Sequence, residues 1–174
     1  MKYIEDFVRE IPDFPRKGVS YKDITPLMLD NYGMMLALNG LEAHIRSDCY
    51  DKVLGPESSG FFFGPIIANS HGKGFIPARK KGRLPGVTLQ QEYTAGNGKQ
   101  EVLEIQVDAI RPGERILIVD DLIATGSTTK AAIDLVERAG GMVYCIDVVI
   151  ELAQFNGSSA ISPHRLWSVV QYYK

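Results

Sequence analysis

Apolar residues first recur at helical spacing at Ile4, Phe7, Val8 and Ile11, and Pro12 stops the pattern. This predicts a short helix, followed by a turn-rich loop over Asp13-Phe14-Pro15-Arg16-Lys17-Gly18. Leu38, Leu41 and Ile45 mark a second helix, and Lys52-Val53-Leu54-Gly55 reads as a short buried strand. Gly60 to Ala68 reads as a third helix with Pro65 in its first turn, where a missing N–H is tolerated. Gly74 to Arg79 is a further strand. Lys80 to Gly98 carries four glycines, several charges and no sustained period, so it reads as a lid without structure of its own.

The pattern changes in the second half. Arg115-Ile116-Leu117-Ile118-Val119 is almost continuously apolar, as parallel strands buried on both faces are. Residues 127–139 follow as a helix with Ala132, Leu135, Val136 and Ala139 on one face, ended by Gly140-Gly141. Met142 to Ile150 and Arg165 to Val170 are the next strands. Strands alternating with helices predict an α/β fold, a mostly parallel central sheet flanked by helices. With no repeat, low-complexity tract or linker, residues 1–174 are expected to form one domain.

Composition narrows the function classes. Hydrophobic residues make up 45% and charged residues 23%, and 19 basic against 21 acidic residues leave a net charge of -2. That balance favours neither nucleic acid nor membrane as a partner, and points to small ligands. No stretch approaches about 18 uninterrupted apolar residues, and no basic-then-apolar leader opens the chain, so a cytoplasmic protein is expected. Cys49 and Cys145 form no CxxC pair and are expected to be reduced, buried thiols. His44, His71 and His164 show no metal-ligand spacing and are expected to be structural or surface residues.

The stretch that carries chemistry runs from Ile116 to Thr129. A buried strand ends in Asp120-Asp121, and the loop Leu122-Ile123-Ala124-Thr125-Gly126-Ser127-Thr128 leads into a helix. Loop amides and a helix N-terminus offer unpaired donors and partial positive charge to a phosphate. Gly126 permits close backbone approach, and the hydroxyls of Thr125, Ser127 and Thr128 add donors. Two carboxylates would repel a phosphate dianion, but they suit the vicinal hydroxyls of a ribose. The bland alternative is an acidic strand end followed by a Ser/Thr helix cap. Neither GxxxxGK[ST] nor GxGxxG occurs.

Val119 to Thr128 resembles the phosphoribosyl-pyrophosphate signature of the type I phosphoribosyltransferases, with Ser127 where a second glycine is common. Asp13 to Leu27 resembles the amino-terminal base-binding segment of the adenine phosphoribosyltransferases. Arg79 to Gly86 resembles the start of their flexible loop, and Leu103 to Ile110 the strand that closes it. The resemblance implies a base-binding hood over about residues 1–30 and a lid over about 80–102. It implies that Asp120 and Asp121 hold the ribose hydroxyls and that Ala124, Thr125, Gly126, Ser127 and Thr128 bind the 5-phosphate. Glu57, Ser58, Ser59, Arg79, Lys80 and Arg83 would meet pyrophosphate, Arg79 across a homodimer interface. The Glu57–Ser58 peptide would be strained, often cis. Ser20, Tyr21, Lys22 and Leu152 would meet the purine. Mg2+ would arrive with the substrate rather than in a protein cage.

Without the resemblance, the basic run from Arg79 to Arg83 would read as a solvated face, and Tyr21 as core. Two stretches depart from the family pattern. Ser59 stands where the pyrophosphate loop usually has arginine. Gly96 and Asn97 stand at the lid's usual Glu-Tyr pair, with Glu92 and Glu101 nearby but unaligned with it. The resemblance therefore implies a purine phosphoribosyltransferase making AMP from adenine. Hypoxanthine, guanine or xanthine as the base remains an alternative, as does a non-catalytic sensor of phosphoribosyl pyrophosphate.

Overall fold

A computed structural model describes residues 2–173. A 3-10 turn over Ile4–Phe7 precedes β1 (Arg9–Ile11), which pairs antiparallel with β2 (Tyr21–Asp23). The predicted first helix is thus a single turn. Ile4 and Phe7 are buried on it, but Val8 is already extended. So short a segment gains too few backbone bonds to offset helix nucleation.

α1 (Thr25–Leu29) leads to α2 (Asn31–Glu42). Asp30 caps α2, its Oδ1 accepting from the amides of Tyr32 at 2.9 Å and Gly33 at 3.1 Å. Then come β3 (Lys52–Pro56), α3 (Gly60–Ser70) and β4 (Gly74–Lys80). Next are β5 (Thr88–Thr94), β6 (Gln100–Gln106), β7 (Arg115–Ile123) and α4 (Ser127–Arg138). β8 (Met142–Leu152), α5 (Gly157–Ala160) and β9 (Leu166–Tyr172) complete the order.

The large sheet has the order β5-β6-β4-β3-β7-β8-β9. From β4 to β9 its neighbours run parallel, while β6 joins β4 antiparallel and β5 joins β6 antiparallel. Both faces of β7 are covered. Leu117 and Val119 enter the core under α2 and α3, and Ile116 and Ile118 enter the core under α4. This is why the strand reads as a continuous apolar run rather than an alternating one.

Pro65 is the sixth residue of α3, not part of its first turn. It leaves the Phe61 carbonyl without a helical N–H partner. The helix holds around it because Phe63, Gly64, Ile67 and Ala68 are buried.

The segment expected to lack structure is largely a hairpin. β5 and β6 pair in register from Thr88↔Gln106 to Thr94↔Gln100. A turn joins them, with Asn97 Oδ1 accepting from the Lys99 amide at 2.9 Å. Buried Glu104 organises the preceding loop, accepting from the amides of Arg83 at 3.1 Å and Leu84 at 3.2 Å and the hydroxyl of Thr88 at 3.1 Å. Burial opposes charge on Glu104, yet these donors outweigh it and hold its pKa below the ordinary carboxylate value.

Candidate active site

β7 carries the two acids into the sheet's ligand-facing end. Asp120 is 8% exposed and Asp121 half-buried, and Asp120 Oδ1 accepts from the Asp121 amide at 2.9 Å. Burial raises the pKa of Asp120 well above the ordinary value, and the charge of Asp121 raises it further. Burial also raises Asp121, against a hydrogen bond from Ser59. Two acids so placed are costly in the free protein and suit a ligand that brings hydroxyl donors.

The chain then turns through Ala124, Thr125 and Gly126 into α4. Gly126 has φ +77°, and a Cβ there would stand 2.8 Å from the Gly157 carbonyl oxygen, so the turn requires glycine. No side chain caps α4 at this end. Ala124, Thr125, Gly126, Ser127 and Thr128 line a cavity of about 170 Å³. The Thr125 and Ser127 hydroxyls lie 3.2 Å apart on its rim. Amides at a helix start, two hydroxyls and a small concavity make a cradle for a phosphate-sized anion.

A second cavity of about 330 Å³ adjoins it, with Asp120, Asp121 and Thr128 in its wall. Of the residues expected at pyrophosphate, Glu57, Ser59 and Lys80 line it. Ser58 is exposed and does not. Its φ of +82° carries the strain of this loop, and the Glu57–Ser58 peptide is not cis. Arg79 stands behind Glu57, its Nε 3.4 Å from Glu57 Oε2 without hydrogen-bond alignment, and its NH1 donates to the Arg83 carbonyl at 3.0 Å. Arg83 is outside the wall, its side chain exposed. Of the three cations expected at pyrophosphate, the one in the wall is therefore Lys80, because β4 alternates and turns Lys80 toward the cavity where Arg79 is tied to Glu57.

Of the residues expected at the base, Tyr21 and Lys22 line the cavity. Tyr21 meets Phe14 edge-on at a centroid distance of 5.2 Å, and burial, then the charge of Asp121, raises its pKa. Lys22 Nζ pairs with Glu10 Oε2 at 3.0 Å and lies 4.7 Å from the centre of the Tyr172 ring. Ser20 is exposed, with its hydroxyl bonded to Glu10, and Leu152 is packed in the core at the end of β8; neither is in the wall.

The β5–β6 hairpin contributes two wall residues that linear alignment misses, Tyr93 and Glu101. They are cross-strand partners in the hairpin, and the Tyr93 hydroxyl donates to Glu101 Oε2 at 2.9 Å. Burial, reinforced by Glu101, pushes the Tyr93 phenol up to about 12. Lys80 Nζ is 3.2 Å from Glu101. Glu92 lies on the opposite, exposed face of β5. Gly96 lines the smaller cavity instead, where a Cβ would be 3.8 Å from the Thr125 hydroxyl.

A family model described as the phosphoribosyl transferase domain matches residues 28–160. The chain belongs to the phosphoribosyltransferase family. Within it, the chain is 44% identical over 169 residues to an adenine phosphoribosyltransferase of Clostridium perfringens, covering 97% of this chain and 98% of the relative. The crystal structure of adenine phosphoribosyltransferase from Rhodothermus marinus matches with a TM-score of 0.90 at 40% identity, covering 97% of this chain and 96% of that one. The Giardia lamblia enzyme, solved with 9-deazaadenine, matches with a TM-score of 0.93 at 33% identity, covering 98% and 97%. The α/β class expected from the sequence, with its mostly parallel sheet, is that of these phosphoribosyltransferases.

Proposed function

We propose that this chain transfers the 5-phosphoribosyl group of phosphoribosyl pyrophosphate to adenine, giving AMP and pyrophosphate in purine salvage. The observation that carries this reading is the junction of the two cavities. Asp120 and Asp121 stand beside the Ala124–Thr128 cradle, so one ribose 5-phosphate spans both. The bond from the sugar C1 to pyrophosphate breaks, the bond from C1 to the base nitrogen forms, and that nitrogen loses its proton. Lys80 meets the leaving group, and the cradle anchors the phosphate that does not react. We assign Glu101 the proton, with Tyr93 orienting it and Lys80 beside it.

Magnesium belongs to the same reading. Among the described residues, no three acids of the pocket converge on one point. The donor set therefore suits an ion that takes most of its oxygens from pyrophosphate. When bound, it offsets the charge on the departing group. Hood, lid, a homodimer and a cytoplasmic setting complete the proposal. No helix among the described residues is long and apolar enough to cross a membrane.

What supports adenine over a 6-oxopurine is that Lys22, a donor a 6-oxo group could use, is already committed to Glu10 and Tyr172. A screen of adenine, hypoxanthine, guanine and xanthine with magnesium and phosphoribosyl pyrophosphate tests this choice. Pyrophosphate release is expected with adenine. Faster release with a 6-oxopurine would overturn the base assignment and leave the transfer chemistry standing.

A further inference from the structure

His44, expected from its spacing to be a structural or surface residue, has a largely buried side chain. His44 follows α2, and its side chain meets Cys145 and Asp147 of β8. One ligand atom from each of the three lies within 4.8 Å of the others. Asp147 is fully buried, Cys145 is 1% exposed, and the His44 side chain is 10% exposed. None of them lines the pocket described above.

Among the described residues, His44 Nδ1 and Asp147 Oδ2 have no hydrogen-bond partner, and the only group His44 Nε2 approaches is Asp147. His44 Nε2 stands 3.2 Å from Asp147 Oδ1 but without hydrogen-bond alignment, and the Cys145 thiol donates to that same oxygen at 3.1 Å. Buried polar atoms are nearly always paired, and two unpaired at one spot beside a poorly aligned third mark a place that wants a ligand.

We propose that His44, Cys145 and Asp147 bind a zinc ion that pins the end of α2 to β8. Zinc takes N, S and O donors in a tetrahedron with bonds of about 2.0–2.3 Å, which puts neighbouring donors roughly 3.3–3.7 Å apart. The two approaches to Asp147 Oδ1 are already within a few tenths of an ångström of that spacing. The charges also balance. On binding, the thiol proton leaves to solvent, and a thiolate, a carboxylate and a neutral imidazole offset the two charges of the ion. A neutral assembly is what a buried site tolerates. Exposed Arg165 acts on Cys145 and Asp147 only through its charge. Magnesium, which demands oxygen donors, does not fit this set.

The chain supplies its own reporter. Trp167 is the sole tryptophan, and its ring centre is 4.4 Å from that of His44. Cobalt, a spectroscopic substitute for zinc, should be titrated into the full chain with excess magnesium present and no phosphoribosyl pyrophosphate. One equivalent is expected to quench most of the Trp167 emission and to give a thiolate-to-cobalt charge-transfer band with tetrahedral d–d bands. Zinc should reverse both, and should raise the thermal midpoint with concentration. Cys145→Ser should lose the charge-transfer band, and His44→Gln should lose the quenching, while both keep the transferase activity. If Cys145→Ser fails to fold, His44→Gln at the less buried position still decides. No cobalt spectrum in the parent, or an unchanged spectrum in either folded variant, overturns the site and leaves the three residues as a buried polar cluster.

Discussion

At the residue scale, function and stability oppose each other at Asp120. Its carboxyl is raised well above the ordinary value, first by burial and then by Asp121. The folded state therefore holds this proton at pH values where the unfolded chain, with a pKa of about 3.9, has released it. Between those two pKa values the folded state binds more protons, so the contribution of Asp120 to stability falls as pH rises through that window. Asp120→Asn removes the penalty. Without ligand, the variant's thermal midpoint should rise at neutral pH by roughly 2–4 °C, corresponding to about 1 kcal/mol for a chain of this size. The gain should shrink toward the acid end of the window. Calorimetric scans of parent and variant across pH check it; a lower midpoint at neutral pH would mean that the charged pair stabilises the free fold. The pair's place in the cavity wall was legible in the sequence, because the two acids end an apolar strand just before a Thr-Gly-Ser-Thr loop. Arg79 was not, since nothing in the linear basic run shows that Glu57 holds it and that Lys80 faces the cavity.

At the scale of elements, the β5–β6 hairpin explains both a failed expectation and a sharper one. β7 and α4 were readable because their burial follows simple periods and glycines mark their ends. β6 was readable only in part, from the strand the resemblance implied at Leu103, and β5 was not. Its inward positions include Gln91 and Tyr93, so no apolar alternation appears. Of these, Tyr93 stands in the pocket wall, while Gln91 Oε1 accepts from Arg138 of α4 at 2.9 Å. Pairing across the hairpin brings Glu101 beside Tyr93, a relation that alignment along the chain cannot express. Restoring an acid at position 96 is therefore the wrong repair. Gly96→Glu would aim a carboxylate at the phosphate cradle and should weaken binding of phosphoribosyl pyrophosphate by about tenfold or more. Glu101→Gln should instead lower kcat by about 10²-fold or more with a small change in KM, because the group acts as bonds change. Steady-state kinetics of the two variants separate these effects. A kcat loss confined to Gly96→Glu, with Glu101→Gln near the parent, would reverse the assignment.

At the scale of the whole molecule, the site sits where an open α/β sheet is expected to bind ligands, at the carboxyl ends of the parallel strands around β7. Residues near positions 21, 57, 80, 93, 101 and 120 meet there. No spacing rule predicts that assembly; the resemblance supplied part of it, and the hairpin supplied the rest. The proposed dimer belongs to this scale too. If Arg79 leaves Glu57 to act on a neighbouring subunit, randomly mixed Arg79→Ala and Asp120→Asn subunits should regain about a quarter of parental sites. Activity that stays at zero on mixing, with exchange verified, would confine Arg79 to its own chain.

The central claim is that Asp120 and Asp121 hold the ribose of phosphoribosyl pyrophosphate above the phosphate cradle. Isothermal titration of this ligand with magnesium, into the parent and into Asp120→Asn with Asp121→Asn, tests it most directly. Charge-assisted hydrogen bonds are worth about 1.5–3 kcal/mol each, so the double variant should bind about 10²-fold more weakly or worse while staying folded. Parental affinity in a folded double variant would contradict the account.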